Sequence, residues 1–274
     1  PNTPTTTKIR TFIVRYLRQL SRSNAVERAG FMYKAIFFDL DGTLLPMDLK
    51  EFLEHYLHLV GAFFQTKGYD GRQVCDGIMK NLEAMLAGSE DHTTNEERFW
   101  AGFPGYISQT YGQSAPWEEL FEEFYTTWFG KLEEKTQTAP LAAKVVARLH
   151  EKGYRLILAT NPVFPAMCTA QRLAWTGVDP AFFERVTSYE NSRFAKPDPR
   201  YYQENLEVCG LCANEVLMVG NDTRDDGVAS AVGMDVYIVT DCLVEHEKGS
   251  VPLDTLPHGT MEDFAAYVET LPEV

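Results

Sequence analysis

An α/β fold, with a parallel sheet core flanked by helices and an inserted all-helical domain, is what this 274-residue chain predicts. Three observations lead there. Short continuous apolar runs end abruptly in polar residues, helical patterns alternate with those runs, and a long helical stretch follows the first run. Strands buried on both faces read as unbroken apolar runs, and they belong to parallel sheets covered by helices.

The first 31 residues stand apart. Ile9, Phe12, Ile13, Tyr16, Leu17 and Leu20 form one helical apolar stripe, and the segment carries six basic side chains against the single acid Glu27. This basic amphipathic extension reads as a packing helix or as sequence upstream of a start at Met32. A membrane-surface segment and an organellar presequence are the alternatives.

From Met32 the pattern changes. Ala35-Ile36-Phe37-Phe38 predicts the first strand, and Tyr154–Thr160, Glu215–Gly220 and Asp235–Thr240 predict three more, with a weaker one at Arg185–Tyr189. Helices are predicted at Leu141–Glu151, Pro199–Gly210 and Asp225–Val232, with a terminal helix after Asp254. Between the first strand and Leu141 the pattern is helical throughout: Leu49–Val60, Gln73–Leu86, Thr94–Gln109 and Trp117–Lys135. A crossover needs only a dozen or so residues, so residues 46–137 are expected to form an inserted helical cap. Residues 32–45 and 138–274 are expected to form the core.

Composition excludes several classes. Hydrophobic residues at 45% and charged residues at 23% suit a globular chain with a full core. The net charge of −14 argues against a nucleic-acid partner, because a phosphate backbone attracts positive surfaces. No apolar run approaches the roughly 20 residues needed to span a bilayer. Five scattered cysteines suggest a reducing, cytoplasmic setting rather than a disulfide scaffold. Cys209 and Cys212 form a CxxC without a second pair, and His55 and His58 are ordinary helix-face residues on this reading.

The chemistry gathers at the strand ends, where open parallel sheets bind ligands. Asp39 and Asp41 follow the first strand, Thr160 and Asn161 the second, and Asn221, Asp222, Asp225 and Asp226 the Glu215–Gly220 strand. Lys196 lies in a loop fixed by Pro197, where Asp198 and Pro199 suit the start of a helix. Carboxylates so crowded repel unless a cation neutralises them, and oxygen ligands with open positions favour Mg²⁺. The lysine and the hydroxyl and amide donors suit a phosphate. One carboxylate of the Asp39–Asp41 pair can attack phosphorus while the other carries protons.

The same residues resemble the motifs of the haloacid dehalogenase superfamily. Asp39-Leu40-Asp41-Gly42-Thr43 is similar to its first motif, Thr160 to its second, Lys196-Pro197 to its third, and Gly220-Asn221-Asp222 with Asp225-Asp226 to its acidic fourth. The resemblance covers roughly residues 32–241 and implies a Rossmann-like core with a helical cap closing over the site. It implies that Asp39 is the nucleophile that becomes an aspartyl-phosphate and a Mg²⁺ ligand. Asp41 would be the acid and base, with its backbone carbonyl on the metal. Thr160, Asn161 and Lys196 would hold phosphoryl oxygens. Asp222 would complete the metal site with Asn221 and Asp226 in support, the choice between Asp225 and Asp226 staying open. Asn221 departs from the common Gly-Asp form of the fourth motif. The expected activity is a Mg²⁺-dependent phosphatase acting on a small phosphorylated metabolite. A phosphomutase using the same aspartates, or a non-catalytic phosphate-binding protein, is the alternative. The aromatic side chains of the cap, among them Trp100, Phe103, Trp117, Phe121 and Tyr125, are expected to build its core, with a few facing the substrate. Residues 46–135 carry sixteen acids against seven bases, which disfavours large polyanionic substrates.

Overall fold

Residues 33–88 and 92–274 are described in the computed structural model of the chain. The amphipathic extension expected at 1–31 lies outside the described residues. The apolar run forms β1 (Ala35–Phe38), fully buried along its length. The chain then passes through α1 (Leu49–Thr66), α2 (Gly71–Leu86), α3 (Asn95–Tyr111) and α4 (Trp117–Thr127). It returns through α5 (Pro140–Glu151) to β2 (Arg155–Leu158), and continues as α6 (Ala166–Thr176), β3 (Phe183–Val186) and α7 (Pro199–Cys209). β4 (Val216–Gly220), β5 (Asp235–Val239), β6 (His258–Gly259) and α8 (Met261–Thr270) complete it.

Among the described residues the strands form one parallel sheet in the order β3-β2-β1-β4-β5-β6. From β1 the chain builds outward through β2 and β3, then crosses to β4 on the other side of β1. The strand order therefore reverses beside β1, and ligand crevices open at such a switch point. Side chains alternate between the two faces. Ile36 and Phe38 pack with Leu156, Leu217 and Val219 among residues of α5 and α8, whereas Ala35 and Phe37 pack with Ile157 and Met218 among residues of α7.

In the insertion, α1 buries Phe52, Phe63 and Phe64, and α3 and α4 meet them with Phe103, Phe121 and Phe124. The Phe64 and Phe121 ring centroids lie 4.9 Å apart and those of Phe103 and Phe121 5.4 Å apart, distances at which aromatic pairs gain beyond plain burial. Side-chain caps start the helices: Asp48 on α1, Asp70 on α2, a Thr94–Glu97 capping box on α3 and Asp198 on α7. Gln137 N donates to Pro46 O (2.9 Å), which closes the two ends of the insertion on each other. Bonds to the core include those of the fully buried Asn95, which donates through its backbone to Ser192 O and through its amide to Pro162 O (2.9 Å each), and that of Gln171, whose amide donates to Tyr125 O (2.9 Å).

Four expectations need correction. The helix expected over Trp117–Lys135 ends at Thr127 and continues as a tighter 3₁₀ turn over Phe129–Lys135, with Gly130 inside the break. The Asp225–Val232 helix is likewise a short 3₁₀ segment, Gly227–Val232. β3 begins two residues before the expected start and ends at Val186 rather than Tyr189, because the exposed Glu184 and half-buried Arg185 of this edge strand interrupt the apolar run. α6 has no counterpart among the predicted elements. It starts behind Pro165 and buries Thr169, Arg172 and Thr176, polar residues that hide its apolar face from a periodicity reading. Neither His55 nor Cys209 belongs to a metal cluster among the described residues. The His55 and His58 rings stack on each other, with His55 Nε2 3.2 Å from Glu134, and the five cysteines are free thiols. Among the described residues no helix is long and apolar enough to cross a membrane.

One buried charge closes the last helix. Lys152, 4% exposed, donates to the backbone oxygens of Val268 (2.8 Å), Glu269 (3.2 Å) and Leu271 (2.6 Å) at the end of α8. A cation there meets the negative end of the helix dipole and satisfies carbonyls that have no partner within the helix. Lys152→Met is expected to lower stability by about 2 kcal/mol in urea unfolding, since charged hydrogen bonds are lost and carbonyls are left unmatched.

Candidate active site

The central strand positions the first pair of carboxylates. The ladder runs past β1, with Ala159 N donating to Phe38 O (2.7 Å) and Asp39 N to Val219 O (2.9 Å). Asp39, Thr160 and Asn221 therefore follow neighbouring strands at one edge of the sheet. Gly42 turns the chain at φ +89°, where a Cβ would stand 2.3 Å from Asn221 Nδ2, so only glycine fits that approach.

Asp39 is nearly buried. Lys196 Nζ donates to its Oδ1 (2.8 Å) and Thr43 Oγ1 to its Oδ2 (3.2 Å). Thr43 Oγ1 also lies 3.0 Å from Asn221 Oδ1, so this hydroxyl links the first segment to the fourth. Lys196 donates in turn to Asp226 Oδ1 (2.6 Å). The other oxygen of Asp226 accepts from the backbone N–H groups of Asn221 and Asp222 (3.0 Å each), which fixes the turn after β4. Burial pushes the Asp39 carboxyl up, to about 7; Lys196 opposes this and Asp226 and Asp41 reinforce it. Burial alone would lower Lys196, but Asp226 and Asp39 outweigh it and hold the ammonium well above the ordinary lysine range.

Arg172 was not singled out in the sequence. It is 1% exposed on α6 and pairs with Asp41 Oδ2 across 131 residues of chain. Its guanidinium lies 4.8 Å from the Phe164 ring centre and also donates to Cys168 O and Thr169 Oγ1. A basic residue in the middle of an otherwise uncharged helix was the available signal. The other carboxylate oxygen of Asp41 is buried without a hydrogen-bond partner, as are Thr160 Oγ1 and Asn161 Oδ1. Buried polar atoms left unmatched beside a cavity suit a polar ligand.

The fourth segment divides its work. Asn221 faces Thr43 and donates through Nδ2 to Cys242 O (2.7 Å). Asp222 accepts from the backbone N–H groups of Arg224 (2.8 Å) and Asp225 (2.9 Å), and its second oxygen lies 2.8 Å from His246 Nε2. Asp225 pairs with Arg224 (3.0 Å), and Asp222, Asp225 and His246 bring ligand atoms within 4.8 Å of one another. His246, 24 residues beyond Asp222, carried no sequence signal, unlike Arg172.

All of the predicted site residues line one cavity of about 910 Å³ between the sheet edge and the helical insertion. None of the cap aromatics named from the sequence lines it; Tyr56 and Phe164 do, beside leucines of α1 and α2. Three acids, Asp39, Asp41 and Asp226, share two cations, Lys196 and Arg172, which leaves an excess of negative charge shielded from water. The oxygens that Asp39, Asp41, Asn221 and Asp222 bring to this edge are hard donors of the kind that fits Mg²⁺.

Comparison with known proteins gives the family. Residues 33–233 match the model of the haloacid dehalogenase-like hydrolases. The chain is 26% identical over 214 residues to a phosphoglycolate phosphatase of Mesorhizobium japonicum, covering 74% of this chain and 81% of that protein. It is 29% identical over 204 residues to a phosphoglycolate phosphatase of Vibrio cholerae (73% and 81%), and 22% identical over 191 residues to the pyrophosphatase PpaX of Bacillus velezensis (70% and 76%). Among solved structures, the L-2-haloacid dehalogenase of Xanthobacter autotrophicus superposes with a TM-score of 0.51 at 18% identity, covering 88% of this chain and 100% of that one. A protein described as a predicted phosphoglycolate phosphatase from Haemophilus somnus gives 0.52 at 17% identity, covering 86% and 97%. Those two share the fold. With the family model spanning most of the chain and its motifs gathered at one sheet edge, this protein belongs to the haloacid dehalogenase-like hydrolases.

Proposed function

We propose that the chain is a Mg²⁺-dependent phosphatase that hydrolyses a phosphate monoester through an aspartyl-phosphate at Asp39, with residues 46–137 acting as a cap over the site. The observation that carries this reading is the buried Asp39–Lys196 pair at the end of the central strand, with Asp41 two residues on in the same cavity. The phosphatase names of the relatives support it.

The chemistry follows from the residues. Asp39 attacks phosphorus, and the bond to the leaving oxygen breaks as Asp41 gives that oxygen its proton. Asp41 then takes a proton from water, which attacks the acyl phosphate, releases inorganic phosphate and restores Asp39. Lys196 holds a phosphoryl oxygen and offsets the charge on Asp39, while Thr160 Oγ1, a buried hydroxyl with no partner, and the Asn161 amide nitrogen donate the remaining phosphoryl contacts. Arg172 is a positioning residue that holds Asp41 towards the leaving oxygen. The residues that would hold Mg²⁺ are the Asp39 carboxylate, the Asp41 backbone carbonyl and the fourth-segment oxygens of Asn221 and Asp222. When bound, the ion supplies fixed positive charge to the transferring group.

Inorganic phosphate released from a panel of phosphate monoesters is the test. Turnover with Mg²⁺ that stops on chelation and returns with added Mg²⁺ is expected. A full panel without release, or release indifferent to chelation, contradicts the reading. Arg172→Lys keeps the charge but loses the planar fork, so kcat is expected to fall about tenfold, short of losing the whole acid–base contribution, with KM within about twofold. Steady-state kinetics that moved KM instead would assign Arg172 to substrate binding.

A further inference from the structure

We infer that the cavity takes a phosphate monoester with a sizeable apolar leaving group, seated against side chains of α1 and α2. This rests on the phosphatase reading and narrows its substrate class. Leu49, Leu53 and Leu57 recur every fourth residue on α1, and Met79, Leu82 and Leu86 follow one side of α2; all six line the cavity that holds Asp39 and Lys196. Both helices already bury another face in the cap, α1 through Phe52, Phe63 and Phe64 and α2 through Val74 and Met85. Leu57 and Leu82 also pack against the core, whereas Leu49, Leu53, Met79 and Leu86 are additional to what packing uses, and a helix apolar on two sides has two partners.

Exposure points the same way. Leu49 (39%), Leu53 (38%), Met79 (48%) and Leu86 (42%) are four of the seven large apolar side chains exposed among the described residues, and all four line this one cavity. Scattered exposed leucines need no explanation, but a contiguous patch continuous with a polar site is the form of a ligand pocket.

Charge argues against the competing class. Three of the four cationic or imidazole groups lining the cavity are held close by an acid: Lys196 by Asp39 (2.8 Å) and Asp226 (2.6 Å), Arg224 by Asp225 (3.0 Å), and His246 by Asp222 (2.8 Å); the fourth, Lys50, is a solvent-exposed lysine 3.9 Å from Glu54. A leaving group with a second carboxylate or phosphoryl group would meet Lys50 alone as a loosely held cation there among the described residues. It would also face Asp48 and Glu54 at the cap side. A hydrocarbon seated on the leucines and Met79 covers surface that gains from leaving water.

A series of straight-chain alkyl phosphates from ethyl to decyl, assayed with the full chain and Mg²⁺, tests this. The expected kcat/KM rises about fourfold per added methylene until the cavity is filled, as burial of one methylene implies. Leu53→Glu and Met79→Glu change exposed positions outside the packed core, and each is expected to lower kcat/KM for decyl phosphate at least tenfold and for ethyl phosphate less than twofold. Decyl phosphonate should bind Asp39→Asn far more tightly than ethyl phosphonate by calorimetry, which reads the apolar site without turnover. Hydrolysis of the whole series at rates flat or falling with chain length, or equal binding of the two phosphonates, overturns the inference and leaves the phosphatase reading standing. Absence of hydrolysis for every ester overturns both.

Discussion

Asp39→Asn is expected to lower phosphate release by about 10⁴-fold or more, the scale seen when a covalent nucleophile is removed. The carboxylate is nearly buried and both its oxygens are engaged, by Lys196 and by Thr43, so an amide of the same shape keeps the packing. What it loses is chemical. An amide oxygen is too weak a nucleophile to displace an alkoxide, and the neutral side chain no longer draws a cation. Thermal unfolding near the wild-type midpoint with activity gone would assign the effect to chemistry. Asp41→Asn removes proton transfer and the charge that pairs with Arg172 while leaving the nucleophile in place, so a loss of about 10²–10⁴-fold is expected. That loss should shrink for a leaving group acidic enough to depart unprotonated, a dependence that the nucleophile variant does not share.

Lys196→Met should carry the largest cost in stability. The lysine is 2% exposed and lies between two carboxylates, so its removal leaves Asp39 and Asp226 facing each other without a counter-charge. Breaking a buried ion pair from one side costs about 3–5 kcal/mol, measurable by denaturant unfolding, and the variant should also be close to inactive. The pH dependence follows from Asp39. Its folded value, pushed up to about 7 by burial, exceeds the unfolded one of about 4, so in this window the folded state binds more protons. Metal-free wild-type protein should therefore lose stability as pH rises from about 4 to about 7, with this contribution level above that. The decline should extend to higher pH in Lys196→Met, where the group that opposes the shift is gone. Saturating Mg²⁺ should flatten it by favouring the ionised carboxylate.

Much of this site was legible because its chemistry is local in sequence. A four-residue apolar run followed by Asp39 and Asp41 announces a central parallel strand and what it delivers. Thr160, Lys196 and Asp226 each sit just beyond an element whose own pattern was readable. Arg172 was not legible, because its meaning lies in a contact with Asp41 across 131 residues. The helix that carries it buries polar groups that are satisfied by bonding rather than by water, so it does not look amphipathic. In the fourth segment, adjacent residues take opposite tasks: Asn221 turns to Thr43 while Asp222 turns to His246. Type and spacing cannot separate two oxygen-bearing neighbours in a turn; the backbone of the turn does. The leucines of α1 and α2 were equally ambiguous, since a second apolar stripe on a helix reads as packing until the cavity beside it is known.

The acyl phosphate itself gives the most direct test. Protein quenched during turnover and treated with borohydride would have an aspartyl-phosphate reduced to homoserine, which peptide mass spectrometry locates. Homoserine at position 39 alone, formed only when substrate and Mg²⁺ are both present, is the predicted result. Sustained turnover with residue 39 unmodified, or with the label on another carboxylate, would contradict it.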